Sequence, residues 1–547
     1  MKKLLLIAFA CLAVISCNKV SKMADLANLV KVECDPEVLE VVADNIDADV
    51  TVTFPAKYFH KKAILEVVPV MKFDGQEVAG EPFVYQGEKV MDNYKTVGKD
   101  GASITEHVQF KYVPGMEKSE LVGRATVKYK KKSWAFPEDI KIADGANTTY
   151  MLANKTGSYA AAADNYQDVI PEEVEAQILY LINSANVRSN QLTSESIKEY
   201  KTGVKDVMKD DRRTITGTDI IAYASPDGPE KRNNVLSDQR AASAKSAFKQ
   251  VSNKLETGGV TTRSIGEDWE GFQELVNNSN IEDKDLILRV LSMYSDPDVR
   301  EREIKNMSSV YGTLAKDVLP ELRRARFVTN VEFQNYTAEE LKALVEDNID
   351  ILDEEALLRS ATLTDDQSAK LDIYHQAIKK YDSDRAKLNS ACIMLDQGKD
   401  AMAETFLKKV SDTAVEGYNN LRGVLALRNG DLAKALDFFE KETGDASKVN
   451  LGTMDILNGN YAAAAKKLAG TGDVNEALAY ILNGDLTKAS SLLKDNDCEL
   501  AAYERAIIAA RQGRASVALS ELAKIKNSKD LKDRAENDIE FAKIKQD

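Results

Sequence analysis

The sequence predicts a multidomain protein with three folded parts: an N-terminal β-sandwich, a central α+β domain with a helical insertion, and a C-terminal all-α solenoid. Three observations predict it. Apolar residues alternate with period two over 29–150, strand and helix patterns mix over 174–337, and a glycine turn recurs through the segment assigned to the solenoid, 338–547. A chain of 547 residues exceeds what one core usually organises. Its 29% charged and 44% hydrophobic composition is that of a folded protein.

The chain opens MKKLLLIAFACLAVISC. Lys2 and Lys3 form a basic start, Leu4 to Ala13 an apolar stretch too short to span a bilayer, and Val14, Ile15, Ser16 and Cys17 a processing site that ends in cysteine. This resembles a bacterial lipoprotein signal. The resemblance implies cleavage before Cys17, lipidation of that residue, and a body tethered to a membrane through 18–28. Several acyl chains on one residue anchor stably where a single chain would be marginal. Asn18, Lys19, Val20, Ser21 and Lys22 lack the acidic run that marks surface export in some such bacteria, so the body is expected to face the periplasm.

In the β-domain Val50, Val52 and Phe54 alternate in one run. Ala63, Leu65, Val67, Pro69, Met71 and Phe73 do so in another, and Asp74-Gly75 follows as a hairpin signal. Lys130, Lys131 and Lys132 read as a hairpin tip. Residues 151–173 carry neither period and read as a linker with at most one short helix. Beyond it, Gln177 to Ile182 and Thr214 to Ala224 read as strands. Ile197, Tyr200, Val204 and Val207 mark a helix face, Asn233 to Val251 a second helix, and Phe327, Thr329, Val331 and Phe333 a closing strand. Residues 268–322 carry helical patterning, which is the insertion.

In the last part the turn glycines are Gly398, Gly430, Gly459, Gly484 and Gly513, at intervals of 32, 29, 25 and 29. Five residues after each stands Ala403, Ala435, Ala464, Ala489 or Ala518; nine after each stands Leu407, Phe439, Leu468, Leu493 or Leu522. The glycine ends one helix, the alanine admits the next closely, and the large residue fills the gap between hairpins. This grammar resembles tetratricopeptide repeats, somewhat shortened. Leu388, Asn420, Val424 and Ile507 fall where a concave groove would be lined. They lack the Lys/Arg cluster that clamps a peptide carboxylate, so an apolar helix or a neighbouring domain is the expected occupant.

The chemistry of catalysis is not legible. His60, His107 and His375 stand in unrelated settings, and no metal, nucleotide or nucleophile motif occurs. No enzyme, metal or cofactor is expected. The net charge of -15 argues against a nucleic-acid partner. Cys34, Cys392 and Cys498 are scattered and odd in number, so no disulfide framework is legible.

The central domain holds the one candidate site. On a helical wheel Arg240 falls in the apolar stripe of Leu236, Ala244, Ala247, Phe248 and Val251, where a guanidinium needs an acid, a backbone acceptor or a ligand. The strand Asp219 to Ala224, the turn Ser225-Pro-Asp-Gly228 and the pattern of Asn233, Leu236, Ser237 and Arg240 resemble the OmpA-like peptidoglycan-associating domain. That resemblance implies an Asp and an Arg around the diaminopimelate of the wall peptide. Here Ser225 stands at the position of that Asp, and the nearest carboxylate is Asp227. The expected function is a non-enzymatic envelope scaffold, anchored in the outer membrane, that meets peptidoglycan through Ser225, Asp227, Asn233 and Arg240 and a protein through its repeats. The alternative is a surface-exposed accessory subunit of a nutrient-uptake or secretion assembly that binds glycan or cargo.

Overall fold

The structure is a computed structural model that describes residues 20, 22–281 and 283–544, with the backbone alone for 308–310. Cys17 and the signal lie outside the described residues. The chain divides into two compact units, one made of everything up to Ala162 together with everything from Asp384 on, the other of Ala163–Ser383. The boundary between the two units after the central sheet falls between Ser383 and Asp384.

The first unit opens with helix α1 (Lys22–Asp25) and eleven strands: β1 (Lys31–Asp35), β2 (Val38–Val42), β3 (Asn45–Phe54), β4 (Ile64–Phe73), β5 (Gln76–Ala79), β6 (Phe83–Gly87), β7 (Lys95–Val97), β8 (Ala102–Lys111), β9 (Ser119–Tyr129), β10 (Lys132–Ala135) and β11 (Ile140–Asn147). They pair into one large mixed sheet with the path β1-β3-β2-β11-β9-β4-β6-β7, from which β8, β5 and β10 branch. The two halves meet where β2 runs parallel to β11. The period-two residues point inward: Val50, Phe54, Leu65, Tyr85 and Val127 are buried. The basic run is the tip of the β9–β10 hairpin, with Lys130 in the left-handed region at φ 52°.

The second unit is built on β12 (Val169–Leu179), β13 (Arg213–Ala224), β14 (Gly259–Glu267) and β15 (Arg324–Gln334), in the order β12-β15-β13-β14. Only β13 and β14 are parallel; β15 lies antiparallel to both of its neighbours. Helices α2 (Glu195–Val207) and α3 (Glu230–Val251) pack through Ile197, Tyr200, Val204, Ala244 and Phe248 onto Ile178, Ile220 and Phe327 of the sheet. The insertion forms α4 (Trp269–Asn277), α5 (Lys284–Met293), α6 (Pro297–Asn306) and α7 (Ser308–Asp317) around a separate cluster that includes Phe272, Ile287 and Leu314. Helices α8 (Ala338–Asp347), α9 (Glu354–Thr362) and α10 (Gln367–Tyr381) complete this unit.

The chain re-enters the first unit as five helical hairpins: α11 (Asp384–Asp396) with α12 (Asp400–Leu407), α13 (Tyr418–Arg428) with α14 (Leu432–Phe439), α15 (Asp445–Leu457) with α16 (Tyr461–Leu468), α17 (Val474–Leu482) with α18 (Leu486–Leu493), and α19 (Glu499–Arg511) with α20 (Ala515–Leu522). Helix α21 (Lys529–Asn537) follows. All five turn glycines are left-handed, with φ between 67° and 85°. The five alanines after them are fully buried. Phe439 packs so closely on α13 that a Cβ at Gly423 would lie 2.5 Å from its ring. This is the packing of a helical repeat solenoid. Among the described residues no helix is long and apolar enough to cross a membrane.

Candidate functional site: a repeat groove holding an extended strap

The stretch after β11 is neither a free linker nor a helix beyond one 3-10 turn at Thr149–Leu152. From Ala153 to Ala162 it runs as an extended strap across the first helices of the repeats, in the direction opposite to their order. Four asparagines hold it. The amide of Asn475 accepts from the backbone N–H of Asn154 at 2.7 Å and donates to that residue's carbonyl at 3.0 Å. Asn450 treats Ser158 the same way at 2.7 and 2.8 Å, and Asn389 treats Ala162 at 2.7 and 3.0 Å. Asn420 adds a bond to the Ser158 carbonyl at 2.9 Å, and its own Oδ1 accepts from Asn450 at 2.9 Å.

The chemistry follows from the amide group. It carries one acceptor and two donors in one plane, so it can meet the N–H and C=O of a single extended residue as a neighbouring strand would. Such a contact reads backbone, not side chains. Gripped residues recur every fourth position, at Asn154, Ser158 and Ala162. Between them Arg428 donates to the Thr156 carbonyl at 2.8 Å, and the Tyr159 hydroxyl donates to Asp396 at 2.7 Å. At Gly157, φ is +79° and an added Cβ would lie 2.8 Å from the Val424 methyls, so the strap needs glycine there. The segment that leads into the strap is tied to α21: Arg534 donates to the Thr148 carbonyl at 2.7 Å.

Of the groove residues expected from sequence, Asn420 and Val424 thus meet the strap, while Leu388 and Ile507 are buried in the core at 1% and 0% exposure. The occupant is neither a separate apolar helix nor a folded neighbouring domain, the two expected from sequence, but an extended segment of the chain itself. Asn389, Asn450 and Asn475 were missed. Each stands nine residues before its turn glycine, a polar residue at an otherwise apolar helical position, and that recurrence was the available signal.

The same position in the fifth hairpin is Glu504. It is fully buried, and neither carboxylate oxygen has a hydrogen-bond partner among the described residues. Burial, and then the nearby Asp473, push its pKa well above the usual carboxylate range. As pH rises above about 4.5 the unfolded chain loses a proton that the folded chain keeps. Stability therefore falls with pH in that window, by about 1.4 kcal/mol per unit from this group. Glu504→Gln is expected to remove the slope. Thermal unfolding of the two proteins should coincide near pH 4.5 and favour the Gln variant increasingly toward neutrality.

In the second unit the structure does bring Ser225, Asp227, Asn233 and Arg240 together at the end of β13, and there they bond to the protein itself. Arg240 is 1% exposed. Its guanidinium donates to the carbonyls of Tyr223 at 2.9 Å, Ser184 at 3.0 Å and Leu181 at 3.3 Å, and stacks 5.0 Å from the Tyr180 ring centre. Burial pulls its pKa down to about 10, which leaves it charged at neutral pH. Of the three kinds of partner open to Arg240, an acid, a backbone acceptor or a ligand, the structure shows backbone carbonyls. The Asp227 carboxylate pairs instead with Arg323 at 2.9 Å and accepts from the Ser225 hydroxyl at 2.8 Å. Asn233 donates to the carbonyls of Ser225 and Gly228 and to Glu267.

Among the described residues no group of three or more His, Cys, Asp and Glu is placed to hold a metal ion. Fold and site together define a helical-repeat protein whose groove is filled from within. No family model and no curated protein matches the chain. Among solved structures, it is similar to a tetratricopeptide repeat protein from Parabacteroides merdae, at 16% identity over 37% of this chain and 91% of that chain, TM-score 0.28. It is similar to the Cut9–Hcn1 hetero-tetramer of the APC/C at 14% identity over 63% and 75%, TM-score 0.30. Yeast Tom70 is 13% identical over 73% and 70%, TM-score 0.24. The likeness to repeat proteins is distant and partial.

Proposed function

We propose that the protein is a non-catalytic envelope scaffold, lipid-anchored through Cys17, whose repeats act by gripping extended polypeptide backbone. The asparagine ladder on the strap carries this reading. The chain's own segment is the resident guest, and protein partners of the repeats are gripped by the same backbone chemistry or meet the outer helices. In the chain the second unit is an insertion into the first, between Ala162 and Asp384.

The lipobox pattern supports attachment to the outer membrane, with the body in the periplasm. Replacing Cys17 by Ser is expected to abolish fatty-acid labelling and to move the protein from the membrane to the soluble fraction. Labelling that persists in the variant would sink the anchor.

Association of the second unit with peptidoglycan is the finer part of the proposal, supported by the convergence of Ser225, Asp227, Asn233 and Arg240. Asp227 and its partner Arg323 keep 16% and 13% side-chain exposure, more than Arg240 does. Cosedimentation of the whole chain with purified peptidoglycan, compared with Asp227→Ala, tests it. Equal amounts left in solution with and without the wall would end the wall-binding reading.

A further inference from the structure

The end of the β-domain where the described chain begins carries a lysine-lined concavity of about 520 Å³. Lys22, Lys57, Lys61 and Lys99 line it, with Tyr58 and Phe59 at its floor; the acid among its lining residues is Glu88. None of the four lysines has an ion pair among the described residues, and all four are exposed. In a chain of net charge -15 such a cluster is a local reversal of sign. It is also held in place. The Tyr58 hydroxyl donates to the Met23 carbonyl at 2.8 Å, the Lys57 N–H donates to the Lys99 carbonyl at 2.8 Å, and the Lys89 N–H donates to the Lys61 carbonyl at 2.7 Å. Val20 and Met23 are each 1% exposed, so the chain is docked beside the concavity from its first described residues.

Its position relative to the lipid follows from covalent geometry. Lys22 is five residue steps from Cys17, and an extended chain covers at most about 3.6 Å per step, so the two α-carbons are within about 18 Å. A lipid on Cys17 therefore keeps Lys22, at the edge of the concavity, within reach of the headgroups of its leaflet. We propose that this concavity binds the phosphate of anionic lipid headgroups in the membrane that holds the Cys17 lipid, a proposal that rests on the anchor reading above. The lysines would then orient the β-domain on the surface, which a flexible acyl anchor alone does not do.

The test uses the chain from position 17 onward, which contains every described residue, with Cys17→Ser so that no lipid contributes. Flotation is measured with vesicles of phosphatidylcholine alone and of phosphatidylcholine with an equal part of phosphatidylglycerol. Binding is expected on the anionic vesicles only, weakening with salt. Each lysine near such a surface is worth about a fivefold change in partition, so Lys57→Gln, Lys61→Gln and Lys99→Gln combined should lower it about a hundredfold. Circular dichroism verifies that this variant is folded. Equal flotation of native and variant protein, or indifference of the native protein to phosphatidylglycerol, overturns the proposal. Saturable calorimetric binding of inorganic phosphate, lost in the variant and without any vesicle preference, assigns the pocket to a soluble anion and overturns it too. Failure of the anchor itself appears separately, as absence of fatty-acid labelling at Cys17.

Discussion

Arg240→Ala is expected to destabilise the second unit by about 3 kcal/mol, because it empties a fully buried side-chain site and strips the donor from the buried Tyr223 carbonyl and the part-buried Leu181 and Ser184 carbonyls. The guanidinium reaches Leu181, Ser184 and Tyr223, which no shorter cation spans, so Arg240→Lys should recover little. The protein supplies its own reporter. It has two tryptophans, Trp134 in the first unit and Trp269 in the second. In a Trp134→Phe background, denaturant unfolding followed by Trp269 fluorescence reads the second unit alone. An unchanged midpoint would show that the three carbonyl contacts contribute nothing. The same result bears on wall binding: Arg240→Ala would lose any ligand through unfolding, which is why Asp227→Ala is the informative variant there.

Replacing Asn389, Asn450 and Asn475 together by Leu should release the strap. Each loses two bonds to one strap residue, which leaves the N–H and C=O of Asn154 and Ala162 and the N–H of Ser158 unpaired against apolar side chains, while Asn420 still reaches the Ser158 carbonyl. At about 1 kcal/mol net per bond, the population of open strap should rise at least about a hundredfold even with strong non-additivity. Lys155 lies within the strap and is exposed, which makes trypsin the natural probe. Cleavage after Lys155 under native conditions is expected to accelerate accordingly, as cleavage of an opened segment tracks its population. A rate equal to that of the native protein would mean that the asparagines do not hold the strap.

Much of the fold was legible because its signals are local. Gly398, Gly430, Gly459, Gly484 and Gly513 each end a helix through their own φ, and the alanine and leucine that follow act on the next helix of the same hairpin. The face of Ile197, Tyr200, Val204 and Val207 is buried as its period requires. Strand β14 was not legible. It lies at the sheet edge, and Thr261, Thr262, Arg263 and Ser264 leave no apolar alternation to read. The strap was not legible for a different reason. Nothing between Ala153 and Ala162 has a period, since its conformation is imposed by amides 227 to 321 residues away in sequence. The groove likewise looked vacant from Asn420 and Val424, whose partner is a segment no local pattern assigns to them.

By itself the sequence determined the kind of most elements, which faces are apolar, that the last third is a series of helical hairpins, and that Arg240 falls in the apolar stripe of α3. Only the tertiary structure decided what those buried polar groups meet: carbonyls for Arg240, Arg323 for Asp227, and the strap backbone for the asparagines. The physical reason is range. Periodicity and capping are settled within one or two turns of chain, whereas a buried amide or guanidinium must be satisfied by whatever the whole fold brings within about 3 Å of it.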